Sequence, residues 1–265
     1  MVAKYVALSR DLHQGKCWKA PSDFKFVDSL AYVAVFLPEI GRLLPNYTLA
    51  FVKKGEEFDF VALLSLLPNT NAYVDNAGRW LAPYIPALIR SFPFLLAKTE
   101  DEKFVLAVAE DFIVESGGIP FFDGEALSKE AQEVLNFLLA IEREKSLAKL
   151  ACQRVVELNL LEPWEIIIKT DGGEAKLEGI YKINEKRRME LSDDDFVSLR
   201  RAGSLPIIYG QLFSAANLQQ LVRLTQEKLR LTKSPSTPST PEKRSPHVEA
   251  EDLERLLQSL KFPED

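Results

Sequence analysis

The sequence predicts an α+β fold in which antiparallel β-hairpins of the N-terminal half pack against a largely helical C-terminal half. Short apolar runs separated by turn residues fill the first half of the chain. After residue 128, apolar residues recur at spacings of three and four, which is the period of an amphipathic helix. A hydrophobic fraction of 46% in 265 residues is enough to bury one large core without disulfides.

The N-terminal half contains three predicted hairpins, each closed by a turn-forming segment. The paired segments are 47–53 with 58–66 around Gly55, 71–75 with 79–81 around Gly78, and 94–97 with 104–108. Both faces of the strand 47–53 are largely apolar, so we expect this strand to be covered on both sides. Residues 87–92 lie between prolines and are predicted to form a short helix.

The C-terminal half begins with a helix that starts near Ser128 and carries an apolar stripe as far as Leu161. Four consecutive charges at 142–145 predict a break in this helix. The later predicted elements are a hairpin of 166–168 with 179–183 around 171–173, a helix that Ser192 and Asp195 cap and Gly203 ends, and a last helix over 212–231.

The chain divides into a core of residues 1–232, a linker of residues 233–246 and an amphipathic helix within residues 247–265. The linker has four prolines and no large apolar residue, so it cannot pack as part of a core. Four leucines of the last segment share one face of a helix, at Leu253, Leu256, Leu257 and Leu260. So short a helix is marginal alone, and we expect it to dock on its own core or to mediate contact with a protein partner or self-association.

Charge and composition exclude several classes of partner. A formal net charge of −6 does not provide the positive field that binds a phosphate backbone, so no nucleic-acid partner is expected. No apolar run approaches the length of a membrane span, and no apolar segment follows Lys4 as in a secretory signal, so we expect a cytoplasmic protein. Cys17 and Cys152 are predicted to be reduced thiols rather than a disulfide or zinc site.

A series of short motifs is spread along the core. They are Ser9-Arg10 through His13, Gly15-Lys16 and Trp18; Val61 to Leu64; Asn71, Val74-Asp75, Gly78 to Trp80 and Tyr84; Pro86-Ala87, Arg90 and Pro93-Phe94; and Phe122-Asp123. Further along the chain they are Leu161, Pro163-Trp164, Gly179 to Tyr181, Ile183 to Glu185, Phe196, Leu199 to Gly203, Leu205-Pro206, Tyr209, Gln211-Leu212 and Ser214.

In the order of these motifs, over roughly residues 4–222, the chain resembles the bacterial SapC-like family. The resemblance assigns the protein no reaction. The family is associated by name with surface layers. A cell-surface location, reached without a signal peptide, is therefore the alternative to the cytoplasm. The chain departs from the family pattern at Asn184, where an acid is usual, at Gly210, usually alanine, and in its tail.

Two groups of residues are candidates for ligand binding. His13 lies near Asp11 and Lys16, where a base and an anion-binding group would be close together, although a hydrogen-bonded structural role is the alternative for this histidine. The second group places an indole, a phenol and two guanidinium groups within a dozen residues. It comprises Arg79, Trp80, Tyr84 and Arg90.

The alternative for the second group is that Trp80 and Tyr84 belong to the core and the arginines pair with acids. No catalytic constellation, metal site or cofactor motif stands out in the sequence. Asp193 to Asp195 could suggest a metal site, but they lie at a helix start, where acids act as capping residues. The sequence therefore favours a non-enzymatic binding or accessory protein of a bacterial envelope-related or cytoplasmic assembly. The alternative is an enzyme or small-molecule-binding protein with a pocket of His13, Lys16, Trp80, Tyr84 and Arg90.

Overall fold

The structure, a computed structural model, describes residues 4–99, 103–170 and 173–233. The strands are β1 (Tyr5–Ala7), β2 (Cys17–Trp18), β3 (Tyr32–Ala34), β4 (Thr48–Lys54), β5 (Glu57–Leu63), β6 (Phe94–Lys98), β7 (Phe104–Ala109), β8 (Ile113–Val114), β9 (Ile119–Pro120), β10 (Phe122–Asp123), β11 (Ala126–Leu127), β12 (Leu161–Pro163), β13 (Ile166–Thr170), β14 (Gly173–Leu177) and β15 (Ile180–Ile183). The helices are α1 (Arg10–His13), α2 (Ile40–Leu43), α3 (Ala87–Arg90), α4 (Lys129–Glu157), α5 (Glu185–Met189), α6 (Asp193–Arg201), α7 (Leu205–Ser214) and α8 (Leu218–Lys233). The predicted α+β class is confirmed.

The largest sheet has five antiparallel strands in the order β12-β15-β4-β5-β3. At its centre, residues 48–52 of β4 are all buried, which confirms that this strand is covered on both faces. Gly55 has φ +57 in the turn between β4 and β5, a conformation that favours glycine. Helix α4 packs along β5 and α7 packs on β4, so the sheet lies at the centre of the main core.

Two smaller three-stranded sheets, β1-β7-β6 and β8-β2-β9, adjoin a second core. The predicted pairing of 94–97 with 104–108 is confirmed as β6 and β7. The second core groups seven buried apolar residues: Trp18, Phe94, Leu96, Leu106, Val108, Phe121 and Leu138. Leu138 is a residue of α4, so this helix contributes to both cores.

The predicted hairpin of 166–168 with 179–183 is wrong, because β13 pairs with β14 and not with β15. β14 begins only three positions after β13 ends, and pairing with the strand nearest in the sequence needs the shortest loop closure. Gly179, with φ +76, then redirects the chain, and β15 joins the five-stranded sheet between β12 and β4.

The predicted hairpin of 71–75 with 79–81 is reduced to one isolated bridge, between Val74 and Trp80. The side chain of Asp75 accounts for the difference. Its Oδ1 accepts hydrogen bonds from the backbone N–H groups of Ala77 (2.9 Å) and Arg79 (2.8 Å). The Asp75 side chain thereby accepts from the N–H of Arg79, a donor that a strand ladder would otherwise use.

Helix α4 is continuous over 29 residues, so the predicted break at 142–145 is wrong. The charges there pair along the helix instead: Lys145 Nζ lies 2.7 Å from Glu142 Oε2. The Ser128 side chain caps the start by accepting from the N–H of Ala131 at 3.1 Å. The helix ends at Glu157, short of the predicted Leu161, which lies in β12.

The last helical region begins earlier than predicted and has two parts. Helix α7 starts at Leu205, and a 3-10 turn over Ala215–Asn217 separates it from α8. Asn217 holds this bend because its Nδ2 donates to the carbonyls of Leu44 (2.7 Å) and Tyr47 (2.9 Å). The predicted cap of α6 is confirmed: Ser192 Oγ accepts from the N–H of Asp195.

Residue 233, which was predicted to open the linker, is the last residue of α8. The rest of the linker and the segment 247–265, with Leu253, Leu256, Leu257 and Leu260, lie outside the described residues. Among the described ranges, no helix combines the length and apolar character that crossing a bilayer requires.

Candidate functional site

A buried carboxylate that the sequence analysis missed, Glu39, organises one part of the surface. Its side chain is 5% exposed and accepts three hydrogen bonds. The donors are the N–H groups of Phe36 (3.1 Å) and Ala87 (2.9 Å) and the hydroxyl of Tyr84 (3.1 Å). The only signal in the sequence is a single acid between apolar neighbours in Leu37-Pro38-Glu39-Ile40.

Three of the predicted ligand-binding residues come together beside Glu39. Arg90 Nη2 donates to the Tyr84 hydroxyl at 3.1 Å, and its guanidinium carbon lies 5.3 Å from the centre of the Tyr84 ring. Trp80 Nε1 donates to the Tyr47 hydroxyl at 2.9 Å and lies 3.3 Å from the Tyr84 carbonyl. The polar atoms of Trp80 and Tyr84 are therefore engaged with the protein itself.

The surroundings of Glu39 perturb its ionisation. Burial raises the pKa of Glu39, while the hydrogen bonds from Ala87, Phe36 and Tyr84 and the nearby Arg90 charge oppose that rise. Burial and the adjacent Glu39 carboxylate raise the pKa of Tyr84. Arg90, Tyr84 and Glu39 thus form a chain of hydrogen bonds from an exposed cation to a buried acid.

Arg79 lies apart from this chain and pairs with an acid of its own turn. Its Nη2 is 2.7 Å and its Nε 2.8 Å from Asp75 Oδ2. Hydrogen bonds from the Arg79 backbone and side chain hold the pKa of Asp75 below its ordinary value. An anionic ligand at Arg79 would have to compete with this carboxylate for the guanidinium.

His13 and Lys16 have different neighbours from Trp80, Tyr84 and Arg90. His13 is 5% exposed, its Nδ1 lies 3.0 Å from the Ser9 carbonyl, and its ring meets Phe121 edge-on at 5.9 Å. Lys16 Nζ lies 3.4 Å from Glu115 Oε1. The structure thus divides the six predicted residues into separate groups, and their role in ligand binding stays a prediction.

A groove of about 760 Å³ lies elsewhere, between α4 and the edge of the five-stranded sheet. Its wall on the sheet side consists of residues of β3 and of the β4–β5 hairpin, and its other wall is the middle of α4. The volume is within the range of about 300–1,000 Å³ that is typical of small-molecule sites. None of the predicted ligand-binding residues lines this groove.

The groove combines an apolar floor with a charged rim. Among the lining residues, Val35, Phe36, Phe60 and Cys152 are each buried to 5% exposure or less. At the rim, lysines pair with carboxylates, and each pair remains partly exposed. The pairs are Lys54 with Asp59 (3.1 Å), Lys145 with Glu142 (2.7 Å) and Lys149 with Glu57 (2.6 Å).

Cys152, on the floor of the groove, carries a thiol, which is a nucleophile or metal ligand only when it is deprotonated. Burial, and to a smaller extent the charge of Asp59, raises the pKa of Cys152 to about 12. The thiol is therefore protonated at neutral pH, and a protonated thiol is neither a nucleophile nor a metal ligand. No histidine, the usual base that activates a cysteine, lines the groove.

The described parts of the chain show no grouping of three or more His, Cys, Asp or Glu side chains suited to holding a metal ion. No curated protein and no solved structure matches the chain. The SapC family model matches residues 8–221, which is most of the chain and agrees with the order of motifs noted in the sequence. The chain therefore belongs to the SapC family.

Proposed function

We propose that this protein is a non-enzymatic binding protein that holds a small amphipathic acid in the groove between α4 and the five-stranded sheet. The observation that carries the proposal is the groove itself, a cavity of about 760 Å³ with an apolar floor and a charged rim. Such a combination is typical of sites that bury the apolar body of a ligand and fix its orientation through a few polar groups.

The charges of the rim favour an acidic ligand. Four lysines, Lys53, Lys54, Lys145 and Lys149, face three carboxylates, Glu57, Asp59 and Glu142, which leaves a net charge of +1. Partly exposed ion pairs contribute little to stability, typically about 0–1 kcal/mol. A carboxylate or phosphate of the ligand can therefore replace one protein carboxylate beside a lysine with little loss of protein stability.

The state of Cys152 supports binding rather than covalent chemistry. The one thiol of the groove is held in its protonated form by burial. Nucleophilic catalysis by cysteine requires a thiolate, which arises beside a base or a positive charge. The Asp59 carboxylate has the opposite effect, because a nearby negative charge disfavours a thiolate.

We expect the groove to bind 1-anilinonaphthalene-8-sulfonate, a probe with an apolar aromatic body and one acidic group. Ala148 lines the groove, and an indole at that position would fill part of it, so Ala148→Trp should weaken binding at least about tenfold. Fluorescence titration measures the affinity, and circular dichroism verifies that the variant is folded.

Ala140→Trp is the matched control, because Ala140 is an exposed residue of the same helix and does not line the groove. This control should bind the probe as the unaltered protein does. Equal affinity for the folded Ala148→Trp variant and the unaltered protein would refute a ligand site in the groove. Mass spectrometry of compounds that copurify with both proteins then identifies the natural ligand.

Within the cell we propose an accessory role in a bacterial assembly, either envelope-related, as the family name suggests, or cytoplasmic, as expected from the sequence. Fractionation of cells that express the tagged protein distinguishes the two locations. The ligand-binding role of His13, Lys16, Arg79, Trp80, Tyr84 and Arg90 is the second candidate, and substitutions there provide a comparison for the groove variants.

A further inference from the structure

An exposed aromatic and basic patch lies on α5 and α7, away from the groove residues. We define it by Arg188, Met189, Tyr209 and Phe213. Phe213 and Met189 are among the most exposed large apolar residues described, at 68% and 73%. The rings of Tyr209 and Phe213 stack with centres 6.0 Å apart, and the Arg188 guanidinium lies 5.9 Å from the Tyr209 ring centre.

The composition of this patch is that of an interface. Aromatic residues, methionine and arginine are enriched where proteins contact one another, and such residues supply most of the binding energy. The patch is also weakly positive, because residues 185–190 carry three bases, Lys186, Arg187 and Arg188, against two acids, Glu185 and Glu190, a net charge of +1. No charged residue lies in α7. A suitable occupant would present apolar side chains flanked by acids.

The C-terminal segment of this same chain has that character. Residues 247–265 contain six acidic and two basic residues, a net charge of −4. Four of the acids, at positions 249, 251, 252 and 254, lie immediately around the start of the leucine stripe of Leu253, Leu256, Leu257 and Leu260. On a helix, the stripe would contact the aromatic pair while the acids approach the basic residues of α5.

The length of the intervening chain permits contact within one molecule. Helix α8 has 16 residues, so it spans about 24 Å, and it starts just after the 3-10 turn that follows α7. Residues 234–246 can extend about 40 Å at roughly 3.1 Å per residue in a proline-rich segment. The chain beyond α8 can therefore return along the full length of that helix to the end of α7, where Phe213 lies.

We infer that residues 247–265 dock as a helix on the patch of Arg188, Met189, Tyr209 and Phe213 of their own chain. Tethering favours this occupant, because a short linker gives the segment an effective concentration in the millimolar range. The inference is independent of the proposed ligand groove. The sequence left open whether this segment docks on its own core, on a protein partner or on a second copy, and we choose its own core.

Hydrogen–deuterium exchange of the full-length protein, followed by mass spectrometry, tests this docking. Peptides that cover 253–260 should be protected, and Phe213→Ser should accelerate their exchange about thirtyfold, the effect expected when one hot-spot side chain is lost. Arg188→Glu should also accelerate it, because the reversed charge repels the acids of the segment. Leu147→Ser, at an exposed leucine of α4, is the matched control and should leave the protection unchanged.

Three results would overturn the inference. The first is exchange of 253–260 at the rate of an unstructured peptide in the full-length protein. The second is equal protection in the unaltered protein and in Phe213→Ser. The third is protection that appears only as protein concentration rises, with a matching shift in size-exclusion chromatography, because the segment would then occupy a second copy and not its own core.

Discussion

Replacement of Glu39 by alanine is expected to lower the free energy of unfolding by about 3 kcal/mol at neutral pH. The carboxylate accepts hydrogen bonds from two backbone N–H groups, those of Phe36 and Ala87, and from the Tyr84 hydroxyl. Removal of the side chain leaves these buried donors without their acceptor and also breaks the chain of hydrogen bonds that leads to Arg90. Denaturant titration followed by circular dichroism measures the change.

The same variant should alter the dependence of stability on pH. The pKa of Glu39 is higher in the folded protein than its ordinary value of 4.5, so the folded state holds this proton more tightly than the unfolded chain. The contribution of Glu39 is therefore greatest below pH 4.5 and declines as pH rises through the folded pKa. Glu39→Ala should lack this decline.

Glu110→Ala provides the control, because Glu110 is a half-exposed acid that pairs with Lys4 at 2.9 Å. Its loss should change the free energy of unfolding by no more than about 0.5 kcal/mol. Equal stabilities of Glu39→Ala and Glu110→Ala at neutral pH would show that Glu39 does not organise this part of the core.

Gly118→Ala is expected to destabilise the protein by about 3 kcal/mol, for a steric reason. A Cβ atom at this position would lie 2.5 Å from the Trp18 carbonyl oxygen and 3.0 Å from its carbonyl carbon. These are backbone atoms of β2, which pairs on one side with β8 and on the other with β9. The strand cannot move away without breaking one of these ladders. Thermal or denaturant unfolding measures the loss.

Gly41→Ala is the matched substitution, since Gly41 lies in α2 and a Cβ atom there would meet no atom within 4 Å. Alanine is favoured over glycine in a helix by up to about 1 kcal/mol, so this variant should be as stable as the unaltered protein or slightly more so. A Gly118→Ala protein with the stability of Gly41→Ala would contradict the close approach of Gly118 to β2.

Local signals predicted the elements whose formation depends on neighbouring residues. The turn at Gly55, the cap at Ser192 and the helical stripe after Ser128 are each encoded within a few residues, and the structure contains all three. The partner of β15 was not predicted, because the apolar pattern of a strand does not specify which distant strand it pairs with. The same limit applies to the groove, because its sheet wall ends at Phe60 and its helix wall begins only at Glu142.

The candidate site was predicted only in part, for a related reason. The clustering of Trp80, Tyr84 and Arg90 followed from their proximity in sequence. Glu39, the acid that bonds to the Tyr84 hydroxyl, lies more than 40 residues earlier, and only its apolar neighbours in the sequence distinguish it from a surface glutamate. Burial of a charged side chain depends on the folded surroundings, so this part of the site required the three-dimensional structure.

The continuity of α4 has a consequence for how the protein unfolds. Through Leu138 the helix belongs to the second core, and through Ile141 and Val155 it belongs to the main one. Because the helix has no break between these positions, one core cannot unfold while the part of α4 in the other core remains folded. Heating should therefore unfold both cores in a single cooperative transition. A destabilising substitution as distant as β2 should also lower the free energy of unfolding of the central sheet.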